Sequence, residues 1–300
     1  MITTKKPVNY LNNKDILKEI HESKNSYCHF SKQEYNRYDF IVDIEDSTLE
    51  DCFKYMFRDE TIQKAKENRA TKLNNENNTN LTASDIPTTD LVFRVMTWDH
   101  IPLSNKPNKK TDKKKTAKEI FEFEEDSTED IFKELEEISP TPEIDDKFHV
   151  KVNFPPFQHY KINENNSVYC VGKSHWQGDL ITGSFNKEHG KITNKLAKMY
   201  LMLCEKYAMK YNWRGYTYRD EMQASAVLQL TYVGLRFNEA RSANPFAYYT
   251  AAITNSFCRV LNTEKRNQNI RDDIMELNGL NPSWTRQGMG FGSGEVSFED

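Results

Sequence analysis

Hydrophobic and polar positions follow a helical period over the last third of this chain. From residue 193 onward apolar side chains recur every three or four positions, which predicts amphipathic helices over about residues 193–211, 218–235 and 244–271. Thr193 or Asn194 is suited to cap the first of these helices, and Asn244 the third, with Pro245 at its first position. The pattern therefore predicts a helical bundle in this part of the chain.

The first two thirds alternate between helical and strand-like patterns. Helical spacing predicts helices over residues 13–22 and 47–69, and residues 27–40 suit a short hairpin or loop. Residues 74–80 form a polar break, and residues 91–98, 149–154 and 167–171 have the β-branched and aromatic character of strands. We therefore expect a mainly α protein: a helical bundle interrupted by an inserted, partly disordered segment that carries a small β-sheet of two to four strands.

Charge is strongly segregated, although the formal net charge of the 300 residues is only −4. Residues 106–118 hold seven lysines and one aspartate, and residues 120–146 hold twelve carboxylates and one lysine. The basic tract could contact nucleic acid, or it could simply neutralise its acidic neighbour in a solvated excursion. No apolar run is long enough to cross a membrane, and five scattered cysteines suit reduced thiols in a cytoplasm.

The last predicted helix carries the most informative polar residues. Residues 251–271 contain four basic side chains and one acidic one. Asn255, Arg259, Asn262 and Arg266 share one helix face, and Lys265 lies beside it. Such a face suits contacts to phosphates and base edges, but a solvated face of an ordinary amphipathic helix has the same composition.

The order of several short motifs resembles the late-transcription sigma factors of T-even-type tailed phages, a group with the promoter-binding core of sigma-70-type factors. The resemblance covers about 80 residues of the last third and the opening segment. It is carried by NYLNNKDIL (9–17), NWRGYT (212–217), RDEMQA (219–224), NPFAYYT (244–250), FCRV (257–260) and EKR (264–266).

This resemblance implies a role for each matching position. The helix of residues 218–235 would dock on the coiled coil of the largest subunit of a host RNA polymerase core, through Asp220, Glu221 and Gln223. The last helix would contact an AT-rich late promoter, with Tyr248, Tyr249 and Phe257 near the unwound strand, although some of these rings must fill the core. The implied promoter-contacting polar residues are Asn255, Arg259, Asn262, Lys265 and Arg266.

The domain organisation that follows has four parts. Residues 1–43 would form a helical segment that joins the core, 44–190 an insertion, 191–275 the sigma-region-2-like core and 276–300 a flexible tail. The tail ends in EVSFED (295–300), where Val296 and Phe298 could engage a DNA sliding clamp, or the terminus could simply be disordered. A late co-activator would be a further partner, and the insertion could contact polymerase, replace that co-activator or shield the core.

Catalytic or metal-binding patterns with suitable spacing are not apparent. Cys28-His29 and the Cys170/His175 pair lack further ligands, and the glycine run at 288–292 lacks the flanking strand and helix of a phosphate loop. We therefore expect a protein that is not an enzyme, without cofactor or metal, in the cytoplasm of an infected bacterial cell. The alternative is a phage structural or assembly protein whose helical domain binds another protein.

Overall fold

The computed structural model describes residues 11–44, 48–102 and 150–290, and this part of the chain is mainly helical. The predicted mainly α class is thereby confirmed, but the main sheet has five strands where two to four were expected. The seven α-helices of the described residues are α1 (Asn13–Asn25), α2 (Leu49–Met56), α3 (Asp59–Asn77), α4 (Asn194–Ala208), α5 (Arg219–Val233), α6 (Pro245–Leu277) and α7 (Trp284–Gly290).

Five strands form a mixed sheet in the order β1-β5-β4-β3-β2. Strand β2 runs parallel to β3, and the other neighbours are antiparallel. A separate two-stranded hairpin pairs β6 with β7. The strands are β1 (Cys28–Phe30), β2 (Phe40–Val42), β3 (Phe93–Met96), β4 (Phe157–Ile162), β5 (Val168–Ser174), β6 (Trp176–Gln177) and β7 (Ser184–Phe185).

The helices α1, α4, α5 and α6 pack into one bundle around an apolar core. Ile16, Leu203, Met222, Leu230 and Ile253 are among its buried side chains. Each fully buried side chain of this size contributes roughly 1.5–3 kcal/mol relative to an exposed one. This cluster holds the bundle together, and Phe154 and Phe157 from the sheet region join it.

The predicted caps of the bundle helices are confirmed. The Thr193 hydroxyl accepts a hydrogen bond from the Leu196 amide at 3.2 Å, and the Asn244 side chain accepts one from the Ala247 amide at 3.2 Å. Pro245 occupies the first turn of α6. Each cap satisfies an amide that has no partner inside its helix, so these residues fix where α4 and α6 begin.

Side chains of the sheet alternate in direction, so each of its two faces packs against a helical layer. Phe93 and Val95 of β3 are buried in a second apolar cluster with residues of α2 and α3, such as Met56 and Ala65. Arg94, between them, points the other way and contacts His21 of α1. The sheet thus touches the bundle through this polar face, to which Phe157 of β4 adds an apolar side chain that joins the bundle core.

Several predicted boundaries differ from the structure. Strands β1 and β2 precede residue 44, so a domain boundary at that residue cuts through the sheet. The predicted helix over 47–69 is two helices that meet at residues 57–58, and α3 continues to Asn77 through much of the supposed polar break. Residues 150–156 form no strand; β4 begins only after Pro155 and Pro156, which lack the amide hydrogen that a sheet requires.

Candidate nucleic-acid interface

Helix α6 is fixed in the bundle by aromatic side chains of its first half. Tyr249 is fully buried, and its hydroxyl donates to the Gly234 carbonyl at 3.0 Å and lies 3.1 Å from the Tyr200 hydroxyl. The half-buried Tyr248 donates to the Val233 carbonyl at 2.9 Å, and burial raises its pKa to about 12. Phe257 is fully buried.

These positions correct part of the predicted DNA contacts. Tyr249 and Phe257 fill the core, so in this structure neither ring can stack on a base. The Tyr248 hydroxyl is bonded to the end of α5, which gives this ring an anchoring role as well. The aromatic residues of α6 therefore hold the helix, and its polar residues form the surface.

The predicted polar face of α6 is open to solvent. Asn255, Arg259, Lys265 and Arg266 are exposed, and Asn262 is half-buried. Within the described ranges none of the three cations forms an ion pair. Unpaired guanidinium groups beside amide side chains are suited to bind phosphates and base edges.

A row of aromatic rings lies against the middle of α6, at the turn between α4 and α5. The Trp213 ring packs edge-on against Phe257, with centroids 5.3 Å apart. Trp213 and Tyr216 are 6.3 Å apart, and Tyr216 and Tyr218 are 5.3 Å apart. Each of the three rings of the turn is half-buried. Sequence reasoning assigned them no role, although their close spacing around Arg214 was the available signal.

The row ends at an open cavity of about 360 Å³ between the turn and the second half of α6. Thr217, Tyr218, Glu264, Gln268 and Arg271 line it. A tyrosine hydroxyl is protonated at physiological pH and can donate a hydrogen bond. Burial raises the pKa of Tyr218 further. The cavity thus places the Tyr218 ring next to three side chains of α6: the Glu264 carboxylate, the Gln268 amide and the Arg271 guanidinium.

The predicted polymerase-docking residues lie at the start of α5. The Asp220 side chain is 91 % exposed and Glu221 is exposed, whereas Gln223 is half-buried. The same side of α5 continues with Leu228 and Tyr232, which are 56 % and 66 % exposed. An acidic end followed by two exposed apolar side chains makes a stripe suited to a protein partner.

A buried ion network fixes the loop that leads into α6. The Lys24 ammonium donates to the Phe237 carbonyl and to the Glu239 carboxylate, both at 2.7 Å. An Arg94 guanidinium nitrogen lies 4.0 Å from the second oxygen of Glu239. Burial works to raise the pKa of Glu239, but Lys24 and Arg94 outweigh it and lower the pKa. The network joins α1 and the sheet to this loop.

Arg94 is itself enclosed by rings. Its guanidinium donates to His159 at 3.0 Å and lies 3.2 Å from a ring nitrogen of His21. It also stacks over Tyr38 and Phe157, at 4.0 and 3.8 Å from their centroids. This cation belongs to the packing between sheet and bundle and is not available to a ligand.

The described residues offer neither a metal site nor a membrane-spanning helix. Among them, no group of three or more His, Cys, Asp or Glu side chains could hold a metal ion. None of their helices is long and apolar enough to span a membrane. The charged tracts 106–118 and 120–146 and the predicted clamp-binding residues Val296 and Phe298 lie outside the described residues.

No protein-family model, curated protein or solved structure matches this chain.

Proposed function

We propose that this protein is a late-type sigma factor of a tailed phage, which binds host core RNA polymerase and directs it to AT-rich late promoters. In this proposal α6 reads and helps to open promoter DNA, and α5 docks on the polymerase. It acts in the cytoplasm of the infected cell, without catalysis of its own.

The exposed polar face of α6 is the observation that carries this proposal. Arg259, Lys265 and Arg266 are exposed and unpaired among the described residues, although the chain as a whole is acidic. The helix beneath them is fixed by a buried tyrosine hydroxyl, the Asn244 cap and the Glu239 network. A rigid element that presents free cations and amides is suited to recognise a nucleic acid.

The stripe on α5 supports the second half of the proposal. Asp220 and Glu221 provide negative charge, and Leu228 and Tyr232 provide exposed apolar area on the same helix. Charge would steer the encounter with a basic partner, and the apolar groups would be buried on docking.

Run-off transcription from an AT-rich promoter, with host core polymerase and with or without the protein, tests the proposal. We expect the protein to stimulate transcription and to bind core. Arg259→Ala combined with Arg266→Ala should abolish promoter opening, measured by permanganate reactivity, and should leave core binding intact. The control Lys54→Ala with Lys64→Ala removes two exposed charges from α2 and α3 and should behave as wild type.

Two results would contradict this proposal. A protein that neither stimulates transcription nor binds core is not a sigma factor. If the double arginine variant loses core binding as well as opening, this face of α6 is not the DNA face.

The alternative, a structural or assembly protein that binds another protein, is favoured by the far end of α6. Ile274, Leu277 and, on α7, Trp284 are exposed there, Trp284 by 86 %. Large exposed apolar side chains close in sequence suggest a protein contact. Binding to a phage structural protein, together with no effect on transcription, would favour this alternative.

A further inference from the structure

A second set of cations lies outside α6, at the end of α4 and in the turn that follows. Residues 191–219 carry seven basic side chains and one acidic one, although the whole chain has a formal charge of −4. This stretch is the most basic part of the bundle. Its charge therefore calls for a separate explanation.

Ion pairs account for only some of these charges. Lys195 pairs with Glu19 at 2.8 Å, and Arg219 lies 3.7 Å from Asp220. Lys206, Lys210 and Arg214 are exposed and pair with no carboxylate of the described ranges. We call these three residues the α4 cationic patch.

Favourable interaction with the helix dipole explains only part of the patch. Lys206 lies in the last turn of α4, where a cation stabilises the negative end of the helix by roughly 0.3–1 kcal/mol. Lys210 and Arg214 lie two and six residues beyond the end of α4 at Ala208, so the effect is weaker at Lys210 and does not reach Arg214, because it decays within about one turn. Two exposed, unpaired cations next to a third are therefore left for a ligand.

Tyrosine rings hold two of these cations in place. The Lys210 ammonium lies over the Tyr207 ring, 4.0 Å from its centroid, and the Arg214 guanidinium lies 5.4 Å from that of Tyr211. Tyr207 is fixed by a hydroxyl contact with Thr254 of α6. Lys210, which lies on this fixed ring, therefore loses less side-chain entropy when it binds an anion.

Tyr211 identifies the class of ligand. Its ring is 82 % exposed although it lies within the patch, so one side of a large aromatic group faces solvent beside the cations. A single-stranded nucleic acid presents both phosphates and unstacked bases, which match these two features. An acidic protein surface matches only the cations.

We propose that the α4 cationic patch binds the phosphate backbone of single-stranded nucleic acid, and that Tyr211 stacks on one of its bases. The patch is formed by the end of α4 and the turn that follows, not by the polar face of α6, and the proposed binding requires no polymerase. It therefore goes beyond the proposed function and does not depend on it.

Fluorescence anisotropy with the full-length protein and a labelled, mixed-sequence 20-nucleotide DNA strand, at several KCl concentrations, tests the site. The variant Lys206→Ala/Lys210→Ala/Arg214→Ala should bind at least tenfold more weakly at low salt. The slope of log K against log[KCl] should fall in magnitude by about 2, because each phosphate contact to a single strand contributes about 0.7. Tyr211→Ala should weaken binding about fivefold or more with an unchanged slope, since stacking is not ionic.

Two controls separate this site from general electrostatics and from misfolding. Lys32→Ala/Lys54→Ala/Lys64→Ala removes the same charge from the sheet region and should keep wild-type affinity and slope. The charge-conserving variant Lys210→Arg/Arg214→Lys should also bind as wild type.

The proposal is overturned if the triple patch variant keeps wild-type affinity and slope, or if the sheet-region control loses as much. It is also overturned if a polyglutamate peptide of equal length binds as tightly as the DNA strand. The anisotropy assay contains no polymerase, so a failed run-off assay would not contradict binding of the DNA strand. Failure to bind the strand would likewise not contradict the proposed sigma-factor function.

Discussion

The bundle helices α4, α5 and α6 and the sheet use their cations in opposite ways. In the bundle the core is apolar, and cations such as Arg259, Arg266 and Lys210 stand exposed and unpaired within the described residues. At the polar face of the sheet, Arg94 is buried and bonded to His159, and Asp39 is buried beside Arg69. A charge that is already paired and desolvated cannot serve a ligand without breaking the fold.

This difference suggests that the two regions have different roles. The bundle presents the surface that we propose to bind nucleic acid and polymerase, and the sheet supports that surface from behind. The sheet is linked to the bundle through Glu239, which contacts Arg94 of β3 and Lys24 of α1 and lies in the loop that leads into α6. The sheet therefore acts as part of the scaffold that positions α6.

Glu239→Gln should produce the largest loss of stability, because it breaks the link between the two regions. Lys24 and Arg94 would be left buried without their counter-charge, at a cost of about 3–5 kcal/mol in the free energy of unfolding. Urea denaturation measures this change. The control Glu76→Gln removes the same charge from the pair with Arg37, whose side chains are 49 % and 62 % exposed, and should cost about 1 kcal/mol or less. Equal costs for the two variants would show that the network is not a link between the regions.

Gly234→Ala should have the next largest effect, and it acts inside the bundle alone. A Cβ at this position would collide with the ring and hydroxyl of Tyr200, which is buried and cannot move aside. Overpacking of this kind costs about 1–3 kcal/mol, measurable as a lower thermal midpoint. The control Gly215→Ala meets no atom within 4 Å and should change the free energy of unfolding by less than about 1 kcal/mol. An unchanged thermal midpoint for Gly234→Ala would mean that Tyr200 can shift and that the bundle core is packed less tightly than the structure indicates.

The bundle was largely predictable from the sequence, and the sheet was not. The periods of α4, α5 and α6 and the caps Thr193 and Asn244 are local signals, so each helix could be placed from its own residues. The polar face of α6 followed from the same periodicity. Which of its aromatic rings point inward depends on the neighbouring helices, and this is why Tyr249 was assigned to DNA.

The sheet depends on pairings between distant parts of the chain. Cys28 of β1 pairs with Ser174 of β5, and β1 and β2 are three residues long, too short for an alternating pattern to be distinctive. The Lys24–Glu239 bond joins residues 215 positions apart. Such contacts are set by tertiary packing, and no local pattern in one sequence identifies them.

Acid should weaken the sheet region and its contact with α1, which carries His21, and not the helices α4, α5 and α6, since residues 194–277 contain no histidine. Burial lowers the pKa of His175 to about 3 and that of His100 to about 4, and it lowers the pKa of His21 and His159 well below the ordinary value. Each of these groups is neutral in the folded protein but takes up a proton in the unfolded chain below about pH 6.5. Their contribution to stability is therefore complete above that pH and is lost as the pH falls toward the folded pKa.

His175→Phe isolates this effect at one position. His175 is fully buried against Phe154, with ring centroids 4.1 Å apart, and neither ring nitrogen has a partner in the described structure. A phenyl ring fills a similar space and cannot take up a proton, so the variant should lose about 2 kcal/mol less stability than wild type between pH 7 and pH 5. Urea denaturation at the two pH values measures this difference, with the exposed His189→Phe as a control that should follow wild type. If His175→Phe shows the wild-type loss, protonation of His175 does not contribute to the acid sensitivity of the sheet region.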